Sequence, residues 1–246
     1  PDGRWLGDWD VRFLAPHGLW VAPDDRVFVT DTEDHTVFIF DREGTLLQTI
    51  GTPGQRGGSG LPFDMPTRAV QGLSGDIYVS DGYGQNWVHR FAPDGTHITS
   101  WGGDGSEPGK FRTPHSLWVD DDERVYVVDR ANGRVQVFDN VGTVLAVWEG
   151  FCFPHDIFQT AQGTFIVTDC AIRDDDSRPY HEQMPRQPLI ELTADGERIG
   201  ASGLSGAGAG EVVDCPHSIW IGPGGEVYVS EVISHNRLQK FAKSSR

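Results

Sequence analysis

The dipeptide Pro-His occurs four times in this chain, at His17, His115, His155 and His217, and each copy opens the same local pattern. The segments read Pro16-His17-Gly18-Leu19-Trp20-Val21, Pro114-His115-Ser116-Leu117-Trp118-Val119, Pro154-His155-Asp156-Ile157-Phe158 and Pro216-His217-Ser218-Ile219-Trp220-Ile221. A fifth copy, Pro66-Thr67-Arg68-Ala69-Val70, carries threonine in place of histidine. A unit repeated at intervals of about 40–60 residues points to copies of one structural unit, which put equivalent residues at equivalent places.

The residues after each start decide between sheets and helices. A second apolar run ends in an acid each time: Val27-Phe28-Val29-Thr30-Asp31, Ile77-Tyr78-Val79-Ser80-Asp81, Val125-Tyr126-Val127-Val128-Asp129, Phe165-Ile166-Val167-Thr168-Asp169 and Val227-Tyr228-Val229-Ser230-Glu231. A third run comes next, such as Thr36–Phe40, Arg134–Phe138 or Arg237–Phe241, then a glycine turn and a fourth run such as Leu46–Ile50. The runs are short, β-branched and aromatic, and bounded by Gly, Asp and Pro, so they read as strands, and no stretch sustains a helical period. Four strands per repeat make the blade of an all-β propeller. The chain of 246 residues forms one domain, residues 1–246. The last copy stops after its third run, and Asp2–Trp9 reads as a turn plus one strand. That strand is expected to complete the last blade, which gives five four-stranded blades. The same tally fits a six-bladed ring whose first blade is mostly absent from this sequence.

In such a ring, the residues opening the first strands surround the mouth of the central channel, and those after the second strands lie just outside it. His17, Thr67, His115, His155 and His217 form the inner set. Tyr83, Arg130 and the long segment between Cys170 and Pro188 join them on the same face. Each has a plainer reading: an imidazole bonded to a neighbouring backbone, a tyrosine packed in its turn, Arg130 paired with Asp129, and Arg173-Asp174-Asp175-Asp176 as a solvated loop. Four imidazoles at one repeat position favour a shared metal, zinc or copper by ligand type.

Composition excludes several partners. A formal charge of −16 repels nucleic acid, and no apolar run reaches the roughly 20 residues of a membrane-spanning helix. Three cysteines, Cys152, Cys170 and Cys215, allow at most one disulfide and fit no zinc-ribbon spacing.

The blades resemble NHL repeats, and Leu14–Leu19, Ile77–Tyr83, Phe111–Leu117, Val128–Gln136 and Cys215–Ile219 resemble the peptidyl-α-hydroxyglycine α-amidating lyase family. The resemblance implies a catalytic zinc on His17, His115 and His217, Tyr83 as base, Arg130 as clamp for a small carboxylate-bearing substrate, and a structural calcium (Ca2+) deeper in the channel. The implied reaction yields an amide and glyoxylate. This sequence departs from the family in lacking the first blade's arginine and in placing Cys215 and Ser218 where the third histidine motif has methionine and aspartate. The His-Asp pair stands one repeat early, at His155-Asp156, so His155 is a fourth metal ligand or the third in place of His217. Two other functions fit the fold: a non-catalytic interaction scaffold with a protein partner, and a metal-dependent hydrolase or lactonase. The latter favours carboxylate ligands around calcium, against which a histidine-rich mouth argues.

Overall fold

The computed structural model describes residues 4–5, 7–170, 188–202, 215–232 and 236–241. The predicted runs form strands with the boundaries their turn residues impose. β1 (Pro16–Val21), β2 (Val27–Asp31), β3 (Thr36–Phe40) and β4 (Leu46–Ile50) make the first antiparallel sheet. β5 (Pro66–Gln71), β6 (Ile77–Asp81), β7 (Trp87–Phe91) and β8 (His97–Gly102) make the second. β9 (Pro114–Val119), β10 (Val125–Asp129), β11 (Arg134–Phe138) and β12 (Val144–Trp148) make the third. β13 (Pro154–Gln159), β14 (Phe165–Asp169), β15 (Leu189–Leu192) and β16 (Arg198–Ser202) make the fourth. β17 (Pro216–Ile221), β18 (Val227–Glu231) and β19 (Arg237–Phe241) make the fifth.

The sheets are the blades of a five-bladed β-propeller. First strands pack on one another in order, β1 on β5, β5 on β9, β9 on β13 and β13 on β17. His217 returns to His17 with ring centroids 5.1 Å apart, so the last blade meets the first at the histidine end. Aromatic side chains fill the spaces between blades: Phe28, Phe63 and Phe91 between the first and second, Tyr78, Phe111 and Phe138 between the second and third, and Tyr126, Trp148 and Phe165 between the third and fourth. Full burial of one such ring contributes about 1.5–3 kcal/mol.

The acid that closes each second strand ties down the segment entering the first. Asp31 accepts from the Leu14 and Ala15 amides at 2.6 and 2.9 Å, Asp81 from Asp64 N at 2.7 Å, Asp129 from Arg112 N at 2.7 Å, and Asp169 from Phe153 N at 2.6 Å. Each carboxylate thus supplies the acceptor for a partly buried amide at the entry of a blade. Cys170, just past β14, forms a disulfide with Cys215, which opens the last blade.

The N-terminal segment departs from expectation. Among the described residues the last blade has three strands, and residues 7–13 form none. Trp9 instead lies against Phe40 of the first blade, ring centroids 5.7 Å apart, and Val11 and Phe13 pack on the cluster of Val27, Val29 and Phe40. Apolar contact with the first blade thus outweighs strand pairing with the last. Asp2, Gly3 and Leu6 of the Asp2–Trp9 segment lie outside the described residues.

Candidate metal centre

Every histidine of the repeat sits in a β-bulge. Pro114 pairs with Asp129 and Ser116 with Val128, which leaves His115 without a residue opposite. His155, His217 and Thr67 are left over in the same way in β13, β17 and β5, and His17 and Gly18 together face Thr30 across β1. A bulge re-aims one side chain out of the alternation of the sheet, and here it turns the histidine into the channel. Gly18 is required because a Cβ there would run into the Thr67 carbonyl and Arg68 Cα.

The bulges also fix the tautomers. His17 Nδ1 lies 2.8 Å from the Thr67 carbonyl, and His115 Nδ1 lies 2.8 Å from the His155 carbonyl. A ring nitrogen facing a carbonyl must carry the proton, so both Nε2 atoms present lone pairs to the channel. The plainer reading thus holds for one nitrogen of each ring and leaves the other for chemistry. Thr67 fills the histidine's place in the second blade by donating to the Pro114 carbonyl at 2.8 Å.

One ring nitrogen each of His17, His115 and His217 lies within 4.8 Å of the others. A zinc ion held by three such nitrogens would lie about 2.0–2.1 Å from each. The Tyr83 hydroxyl stands between them, 3.0 Å from His17 Nε2 and 2.9 Å from His115 Nε2. A phenol has one proton and cannot satisfy two imidazole lone pairs. The excess of acceptors at this point is the observation that fits a cation, and the neutral imidazole set fits zinc.

His155 adjoins this group, its ring 4.9 Å from His115 and 5.2 Å from His217. Its ligand atom groups instead with the sulfurs of Cys170 and Cys215, and its Nδ1 is buried with no hydrogen-bond partner among the described residues.

Tyr83 and Arg130 lean over the same side of the mouth. Gly82 lets the Tyr83 turn approach, since a Cβ there would collide with the Pro114 carbonyl. Arg130 occupies a short 3-10 turn after β10, with its guanidinium 4.6 Å from the Phe153 ring centre and Nη1 3.4 Å from the Tyr83 hydroxyl. The alternative pairing of Arg130 with Asp129 is not what forms: Asp129 accepts from Arg134 Nε at 2.7 Å and Asn132 Nδ2 at 2.8 Å.

Burial holds the imidazoles neutral. It lowers His17 below the usual range and His115 well below it, and pushes His155 down to about 2 and His217 to about 4; neighbouring imidazoles and Arg130 add to the effect. Because the folded pKa values are depressed, the unfolded chain binds protons first as pH falls through about 6.5. The stability these groups confer is complete above that pH and is lost progressively below it. Denaturant midpoints of the metal-free protein should therefore fall between roughly pH 7.5 and pH 5; a flat profile would contradict the buried, neutral assignment.

Calcium does not fit the channel floor. The residue after each bulge points there, giving Gly18, Arg68, Ser116, Asp156 and Ser218. The one carboxylate, Asp156, accepts from Ser116 Oγ and Ser218 Oγ at 2.6 Å and from Ile157 N and Ile219 N at 3.0 Å. These four donors use all its lone pairs, and the Arg68 guanidinium lies 4.0 Å away. A calcium ion needs six to eight oxygens, and here a cationic side chain takes the space. The post-histidine positions, compared across the five copies, carry the sequence signal of this Arg–Asp opposition. Arg173–Asp176 lie outside the described residues.

The architecture and the repeated motif define the class: the chain is an NHL-repeat β-propeller. The NHL repeat model matches residues 13–40 and 111–138, the first three strands of the first and third blades. The chain is 35% identical over 182 residues to NHL repeat-containing protein 3 of Homo sapiens, covering 68% of this chain and 52% of that protein. It is 40% identical over 248 residues to peptidylglycine alpha-amidating monooxygenase of Rattus norvegicus, covering 95% of this chain and 24% of that one. Peptidyl-alpha-hydroxyglycine alpha-amidating lyase 1 of Drosophila melanogaster is 27% identical over 265 residues, covering 99% of this chain and 47% of the relative. The chain thus spans about half or less of these relatives. Among solved structures, a streptogramin B lyase superposes with a TM-score of 0.60 at 16% identity, over 93% of this chain and 68% of that one, which is a likeness of fold.

Proposed function

We propose that this propeller is a zinc-dependent lyase that cleaves the C–N bond of an α-hydroxyglycine-type substrate, R-CO-NH-CH(OH)-COO⁻, to an amide and glyoxylate. The observation that carries the reading is the Tyr83 hydroxyl held between the Nε2 atoms of His17 and His115 beneath the Arg130 guanidinium. His17, His115 and His217 would hold the zinc, with His155 bordering them. When bound, zinc supplies a Lewis acid that makes a nearby substrate hydroxyl more acidic. Tyr83, ionised beside that charge, takes the hydroxyl proton. The freed oxygen pair becomes the aldehyde carbonyl, the C–N pair moves to nitrogen, and nitrogen takes up the proton to complete the amide. Arg130 holds the substrate carboxylate through its planar fork, and Phe153 stacks beneath it to keep the fork in place.

Arg130→Ala should raise KM for a carboxylate-bearing substrate by about 10–100-fold with kcat little changed, the loss expected for one charge-assisted contact. Steady-state kinetics with zinc content measured alongside tests this; an unchanged KM removes Arg130 from the carboxylate.

A further inference from the structure

Arg68 is the third residue of β5 from the channel end and is almost wholly buried, at 7% exposure. It lines the same pocket as His17, His115 and His217, directly below them. Its guanidinium makes no hydrogen bond among the described residues, and its Nε is buried without a partner. The nearest carboxylate oxygen, on Asp156, is 4.0 Å away, beyond hydrogen-bond reach, and already saturated by two hydroxyls and two amides. A guanidinium has five N–H donors and no acceptor capacity. Buried polar groups of this kind are met by an acceptor. Among the described residues, no protein acceptor is hydrogen-bonded to its Nε.

We propose that the floor of the channel is a small-anion subsite in which the Arg68 fork binds one small monoanion, a halide or a formate-sized carboxylate, below the histidine ring. The walls set the size: Gly18 is the one position without a side chain, and Thr67, Ser116 and Ser218 close the rest. Hydroxyls of Ser116 and Ser218 are committed to Asp156, so recognition is carried by the guanidinium. The subsite is separate from Arg130, which stands at the mouth beside Tyr83 and Phe153, and it does not depend on the lyase reading.

The test is calorimetric titration of the protein as purified with sodium formate at fixed ionic strength, repeated with bromide and with benzoate. The expected result is saturable binding of one formate per chain, displaced by bromide and absent for benzoate. Arg68→Met should weaken it at least tenfold with zinc content unchanged, and Arg68→Lys should bind with intermediate affinity because it keeps the charge but not the fork. Chelator treatment separates this site from a metal-bound anion. Formate binding that disappears with the zinc yet survives in Arg68→Met would overturn the proposal, as would binding that tracks ionic strength alone. If Arg68→Met fails to hold zinc, Arg68→Lys decides: affinity equal to the parent's counts against the fork.

Discussion

Replacement of Tyr83 by phenylalanine is expected to lower kcat on an α-hydroxyglycine substrate by about 10²–10⁴-fold, the usual contribution of a positioned acid–base group. The change deletes the one oxygen that meets both His17 Nε2 and His115 Nε2, at 3.0 and 2.9 Å, while the ring itself, 4.9 Å from the His17 ring, stays in place. Zinc content and KM should therefore change little. A fall in rate that comes with loss of metal would assign Tyr83 to the site's architecture instead. Parallel measurement of zinc and of kcat distinguishes the two, and a variant as active as the parent would remove the base from the mechanism.

The second large effect is expected at His115. His115→Ala should reduce bound zinc from one per chain to near zero and abolish turnover, because three protein ligands plus an open position are the usual set of a catalytic zinc site. His115 is buried, at 2% exposure, and touches His17, His155 and His217 at once. Its removal also strips a donor from the His155 carbonyl, a loss of roughly 1 kcal/mol that should leave the fold intact. His155→Ala is the informative companion. If His217 rather than His155 completes the ligand set, His155→Ala keeps its zinc and His217→Ala does not. Elemental analysis of the three variants reads this out directly.

The repeat makes the blades legible, since the five starts at Pro16, Pro66, Pro114, Pro154 and Pro216 are the first residues of β1, β5, β9, β13 and β17. The acids ending the second runs are legible as a pattern and acquire a reason only in three dimensions, where Asp31, Asp81, Asp129 and Asp169 receive the amides of the entering segments. The bulge is not legible. An alternating pattern assigns each histidine to a face by parity, whereas one unpaired residue per first strand shifts that parity and aims the ring down the channel. The N-terminal segment misleads because the residues of Asp2–Trp9 look like a turn and a strand, while the pull of Trp9 toward Phe40 is a long-range packing effect with no local signature. Arg68 escapes notice because the second copy looks degenerate without its histidine. Its meaning depends on Asp156 standing across the channel with every lone pair taken.

Whether a metal on the three histidines serves a lyase reaction is decided most directly by one assay. The protein carrying stoichiometric zinc is incubated with N-benzoyl-α-hydroxyglycine, and benzamide and glyoxylate are quantified before chelation, after chelation and after zinc is restored. Equal amounts of both products are expected, with loss of activity on chelation and recovery with zinc. Absence of both products from protein that holds one zinc per chain would contradict the substrate assignment and leave a metal-binding propeller of another purpose.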